Sequence, residues 1–156
     1  MTGVISGVSP RPAPGPRAGA GRGTNITTIG DNESASGVEA VNLGASGIAI
    51  AAGGDHTCAL LASGTIRCWG RATSGELGLG STSNVGDGDV PSAVAVVPVG
   101  GAATRISAGR THTCAVLTSG AVRCWGNGLN GRLGLGSVFS MGDDEPASAG
   151  GDVPAY

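Results

Sequence analysis

Apolar positions in this chain come in short runs cut by glycine. Ile48-Ala49-Ile50-Ala51-Ala52 is a run of five that stops at Gly53-Gly54, the length of a strand rather than a helix. Thr57 to Leu61 and Thr65 to Trp69 read as two more strands. Ala62-Ser63-Gly64 between them fits a three-residue hairpin loop whose last residue takes left-handed backbone. A Gly-, Ser- and Asp-rich stretch then runs to Pro91. Ala93 to Val99 reads as a fourth strand, placed at a sheet edge because Pro98 has no N–H to donate. No window of eleven or more residues carries a helical period. The pattern predicts an all-β chain of four-stranded antiparallel sheets, with Ile48–Ala52 as a buried strand.

The same pattern occurs twice. Residues 51–70 (AAGGDHTCALLASGTIRCWG) align with 107–126 (SAGRTHTCAVLTSGAVRCWG) at an offset of 56. The offset carries His56 to His112, Cys58 to Cys114, Cys68 to Cys124 and Trp69-Gly70 to Trp125-Gly126. It also carries Leu77-Gly78-Leu79-Gly80 to Leu133-Gly134-Leu135-Gly136, and Gly30-Asp31 to Gly86-Asp87 to Gly142-Asp143. Four short strands in a 56-residue unit is the size of a propeller blade. Such a sheet must stack on neighbours to bury both faces. The organisation read this way is a disordered Pro/Gly/Ala/Arg-rich tail over 1–25 and a partial blade (loop and outer strand) over 26–43. A blade over 44–99 follows, then a blade over 100–156 whose last strand is incomplete.

Composition narrows the function classes. Glycine supplies 31 of 156 residues and aromatics only 3%, which suits tight turns and small side chains. Nine Lys plus Arg against eleven Asp plus Glu give a net charge of −2, without the basic footprint of a nucleic-acid binder. No apolar run approaches a membrane span. Residues 1–8 lack the charged start and long apolar core of a secretory signal.

The strand, then Ala-Gly-x-x-His-Thr-Cys-Ala-Leu/Val-Leu, Ser-Gly, Cys-Trp-Gly and Gly-x-Leu-Gly-Leu-Gly resemble the regulator of chromosome condensation repeat. The second copy matches best, with Trp125-Gly126-Asn127 and Asn130-Gly131-Arg132-Leu133-Gly134-Leu135-Gly136. The resemblance covers roughly residues 38–149 and implies a seven-bladed β-propeller. The eukaryotic founder of the family is a guanine-nucleotide exchange factor for a small GTPase. The Lys-free, Cys-containing blades here are similar to bacterial, protein-binding members. Seven units of 56 exceed the 156 residues present, so the expectation is a fragment of a longer protein, or copies that complete a ring as a homo-oligomer.

Counting outward from the hairpin loop sets Cys58 opposite Cys68 and Cys114 opposite Cys124, within disulfide reach. Reduced, the same residues are small core side chains. Paired, they favour an extracellular or cell-surface setting. His56, Cys58 and Cys68 share a hairpin face, but no fourth metal ligand recurs nearby, and no metal or cofactor is expected. Gly126-Asn127-Gly128-Leu129-Asn130-Gly131 matches a dinucleotide fingerprint in letters only, because no helix can follow it. The acidic turns at 30–33, 86–89 and 142–145 lack calcium-loop spacing, and Asp there bonds turn backbone. No catalytic constellation stands out. Residues shared by both copies serve the blade: His56, His112, Trp69 and Trp125, with Arg67 and Arg123. Residues that differ at matched sites are free for recognition: Asp55, Arg71, Glu76, Arg110, Asn127 and Arg132. The expected function is a non-catalytic protein-interaction scaffold with a protein partner. The alternatives are an exchange-factor-like regulator of a small GTPase, or a truncated piece without independent function.

Overall fold

The computed structural model describes residues 34–37 and 39–154. The expected 1–25 tail lies outside them. Two antiparallel sheets of three strands form in chain order. The first holds β1 (Gly47–Ala52), β2 (His56–Leu61) and β3 (Ile66–Gly70). The second holds β4 (Ala103–Ala108), β5 (His112–Leu117) and β6 (Val122–Gly126). The expected hairpin is present in both. Leu61 N–H donates to Thr65 O at 2.9 Å, and Gly64 turns with φ +81°, a region that glycine enters without a Cβ clash.

The fourth strand expected from Ala93–Val99 does not form a ladder. Pro91–Ala93 is a single 3-10 turn, and the chain beyond it docks on β3 through Val97 N–H to Ile66 O at 2.8 Å. Two causes limit the pairing. Pro98 has no donor, and the Arg67 guanidinium takes the carbonyls of Pro91 and Val94. The second sheet repeats the arrangement with Val153 N–H to Val122 O at 2.8 Å and Arg123 Nη1 to Ser148 O at 2.8 Å. Arg67 and Arg123 therefore clamp the outer segment of each sheet. Of the 38–43 stretch expected as a lone outer strand, residue 38 lies outside the described residues, and 39–43 form no strand. Val41 and Leu43 instead pack against the first sheet's core.

One continuous core runs through both sheets, from Cys58, Leu60 and Ile66 to Trp125 and Ala147. The seam follows from strand alternation. His56, Cys58 and Leu60 share one face of β2, and Thr113, Ala115 and Leu117 share the opposite face of β5. All six are buried, and these two faces meet. His56 Nε2 and Thr113 Oγ1 share a buried hydrogen bond of 2.8 Å across the join, 57 residues apart in sequence.

The 56-residue offset makes each sheet a control for the other. His112, Cys114 and Val116 match the buried His56, Cys58 and Leu60, yet all three are only half-buried. They face away from the seam. Ile50 corrects the expectation of a buried first strand. It is 70% exposed because its register partner Ala59 places it on the face away from the second sheet. Its counterpart Ile106 pairs with Ala115, points into the seam and packs against the core.

Candidate functional site

The cysteine pairs form as the register requires. Cys58 bonds to Cys68 and Cys114 to Cys124, each pair directly opposite with Cα atoms 4.1 Å apart. His56 and both tryptophans are buried. The Trp125 indole N–H donates to Glu76 O at 3.0 Å across the seam, and its ring is fully buried. Trp69 is buried on the face away from the seam.

Burial lowers the pKa of His56. Glu76 and Asp55 oppose the shift, and His112 adds to it. Burial, then the Arg132 charge, lowers that of His112. The turn at 30–33 lies outside the described residues; in the other two, Gly86 N–H donates to Asp89 Oδ1 at 2.6 Å and, one repeat later, Gly142 N–H to Glu145 Oε1 at 3.1 Å. Burial, and a hydrogen bond that the protonated Glu145 carboxyl donates to Asp144, raise the Glu145 pKa, while the Gly142 N–H opposes the shift.

At one end of the seam lies a cleft of about 380 Å³. The β1–β2 turn and the segment after β3 form one wall. The β4–β5 turn and the segment after β6 form the other. All six residues singled out as divergent between the copies line it: Asp55, Arg71 and Glu76 from the first unit, Arg110, Asn127 and Arg132 from the second. Positions scattered over 78 residues of sequence thus converge because the seam brings matched turns of neighbouring sheets together. Sequence reading missed Thr73, Ser74 and the wall formed by His56 itself.

The six are not equivalent. Arg71 Nε donates to Thr73 Oγ1 at 2.8 Å, and its Nη1 stands 3.6 Å from the Asp55 carboxylate in an exposed pair worth little energy. Arg132 is held at both ends, by Leu129 O and Thr111 Oγ1, each at 2.8 Å. The Arg110 guanidinium makes no hydrogen bond or ion pair among the described residues. Glu76 differs from the expected surface contact. It is only 3% exposed, and its Oε2 accepts the Ser74 N–H at 2.7 Å.

The Gly54 position, occupied by Arg110 in the second copy, has a packing cause. A Cβ on Gly54 would meet Arg110 Cγ and the Arg110 carbonyl at 2.9 Å. Every side chain lining the cleft is polar or charged. Its walls present guanidinium, carboxylate, imidazole, hydroxyl and amide groups for charge and hydrogen-bond contacts.

Residues 48–76 and 103–132 each match the Regulator of chromosome condensation (RCC1) repeat, and residues 63–116 match it in a frame straddling the two. Together the matches span 48–132, more than half of the chain. The chain is 39% identical over 87 residues to the Arabidopsis thaliana ultraviolet-B receptor UVR8, covering 56% of this chain and 19% of the receptor. It is 37% identical over 90 residues to the Homo sapiens E3 ubiquitin-protein ligase HERC2, covering 58% of this chain and 2% of the ligase. Among solved structures, yeast RCC1 (Prp20), in a complex with Kap60, superposes with a TM-score of 0.55 at 23% identity, over 69% of this chain and 26% of that one. Human WBSCR16 superposes with a TM-score of 0.54 at 22% identity, over 71% and 27%. These likenesses show the fold: the two sheets are β-propeller blades in an incomplete ring. The chain spans about a fifth or less of these two curated relatives and about a quarter of the solved propellers.

Proposed function

We propose that this chain, which belongs to the regulator of chromosome condensation (RCC1) repeat family, is a non-catalytic interaction module. It recognises a protein partner through the cleft at the end of the blade seam. One observation carries the reading. The two repeats agree closely along the hairpins β2–β3 and β5–β6, and six residues that differ between them gather around one cleft. A blade needs its shared His, Thr, Cys and Trp to stack. Nothing in blade construction calls for Asp55, Arg110 or Asn127, whose counterparts are Thr111, Gly54 and Arg71. Propeller loops are the usual seat of recognition. Among the described residues no helix is long and apolar enough to cross a membrane.

The test is comparative affinity capture with the full chain, a cleft variant (D55A/N127A) and an outer-surface variant (R105Q). Partners held by wild type and R105Q but lost by the cleft variant support the reading. Equal retention by all three overturns it. An exchange-factor role for a small GTPase rests on fold likeness alone, and no residue here carries it. A nucleotide-release assay with that GTPase would separate it from simple binding.

A further inference from the structure

We infer that the cleft takes a carboxylate, from an acidic segment of the partner protein, between Arg110 and Arg132. This deepens the interaction reading and rests on it. Three guanidiniums line the cleft against two carboxylates, Asp55 and Glu76. Both carboxylates are already engaged: Asp55 stands by Arg71, and Glu76 is buried on the Ser74 N–H. Arg110 and Arg132 have no carboxylate within ion-pair distance among the described residues. The cleft is thus a cationic spot on a chain whose net charge is −2.

Arg132 is also preorganised. Leu129 O and Thr111 Oγ1 fix its Nε and Nη1, so Nη2 can receive a ligand oxygen without a large loss of side-chain freedom. A planar fork of N–H donors matches a carboxylate better than a point charge would. Asn127 and Thr111 add neutral hydrogen-bonding groups to the same walls.

Repeat comparison separates recognition from construction. At the positions of Arg110 and Arg132 the first copy carries Gly54 and Glu76. The blade is built without arginine there, and Glu76 serves as a buried seam residue instead. A protein carboxylate suits the site better than a nucleic-acid backbone. Extended polyanions need a continuous basic track, and here Asp55 sits in the cleft on a net-acidic molecule.

The probe is an acetylated, amidated pentapeptide, Gly-Asp-Glu-Asp-Gly, titrated into labelled full chain and followed by amide and arginine side-chain NMR shifts. The controls are its Asn/Gln twin, inorganic phosphate and a short single-stranded oligonucleotide. Saturable shifts at Arg110, Arg132 and Asn127 with the acidic peptide alone are expected, weakening with salt. R110Q and R132Q should each weaken the affinity about tenfold, and R105Q should not. Both arginines are exposed, and unchanged circular dichroism and melting would show that the variants fold.

No shift at millimolar peptide overturns the inference. So does an equal response to the amide twin, or tighter binding of phosphate or oligonucleotide. The failures are distinguishable. If D55A/N127A loses a captured partner while R110Q/R132Q keeps it, the cleft stands and the carboxylate reading falls. If neither loses it, the cleft reading falls as well.

Discussion

Replacing Thr113 with valine tests the central claim about how the blades join. Valine keeps the shape of threonine and removes its hydroxyl. Thr113 is fully buried, and Oγ1 is the side-chain partner of His56 Nε2 at 2.8 Å. The variant leaves an imidazole nitrogen unpaired in the seam, which costs about 1–3 kcal/mol. Folding entropy of about 2.1 cal/mol/K per residue, over the roughly 120 described residues, makes each kcal/mol worth about 4 °C in Tm. The expected loss is therefore roughly 4–12 °C. The repeat supplies the control. Thr57 is the matched residue on the face away from the seam, half-buried and without a side-chain hydrogen bond among the described residues. T57V should stay within about 0.5 kcal/mol of wild type. T113S, which keeps the hydroxyl, should recover most of the loss. Urea unfolding and calorimetry of the full chain measure all three. Equal stability of T113V and T57V would refute the assignment of the His–Thr bond as the seam's polar pin.

Three further outcomes follow from the same geometry. The pKa values of His56 and His112 are lowered in the folded chain, so the unfolded chain binds more protons just below the ordinary value of about 6.5. Their contribution to stability is complete above that pH and is lost as pH falls from there through the folded values. A denaturation series that stays flat in this window in wild type would contradict it, and T113V and H112N offer comparison slopes. Mild reduction should open Cys114–Cys124 before Cys58–Cys68, because Cys114 is half-buried on the outer face while Cys58 is sealed in the seam. Timed alkylation and peptide mass mapping give the order, and losing either ten-residue loop closure should cost about 2–3 kcal/mol. G78A should destabilise far more than G120A. Both glycines have positive φ, but a Cβ on Gly78 would sit 2.8 Å from the Trp125 indole and from Val97, whereas Gly120 has open space. The difference, read by thermal melting, should exceed about 1 kcal/mol.

The sequence alone determined what depends on local pattern. Period-two runs, a Gly-terminated loop and a 56-residue offset fixed the strands, the hairpins and the register that sets Cys58 against Cys68. They do so because a hairpin's pairing is dictated by its own loop. The recurrence of His56 and Trp125 pointed to a blade-building role, and both are buried and hydrogen-bonded across the seam.

Tertiary structure decided what depends on which face meets which. Ile48 and Ile50 read as buried by composition, yet 63% and 70% of their surface stays open, because only contact between blades covers a strand's face. The Ala93–Val99 segment has strand-like letters, but Arg67 takes two of the carbonyls around it and Pro98 lacks a donor. Glu76 looked like a variable surface acid until the seam closed over it. Divergence between the repeats named the six cleft residues one at a time. Only the stacking of matched turns, 56 residues apart, brought them to a single place.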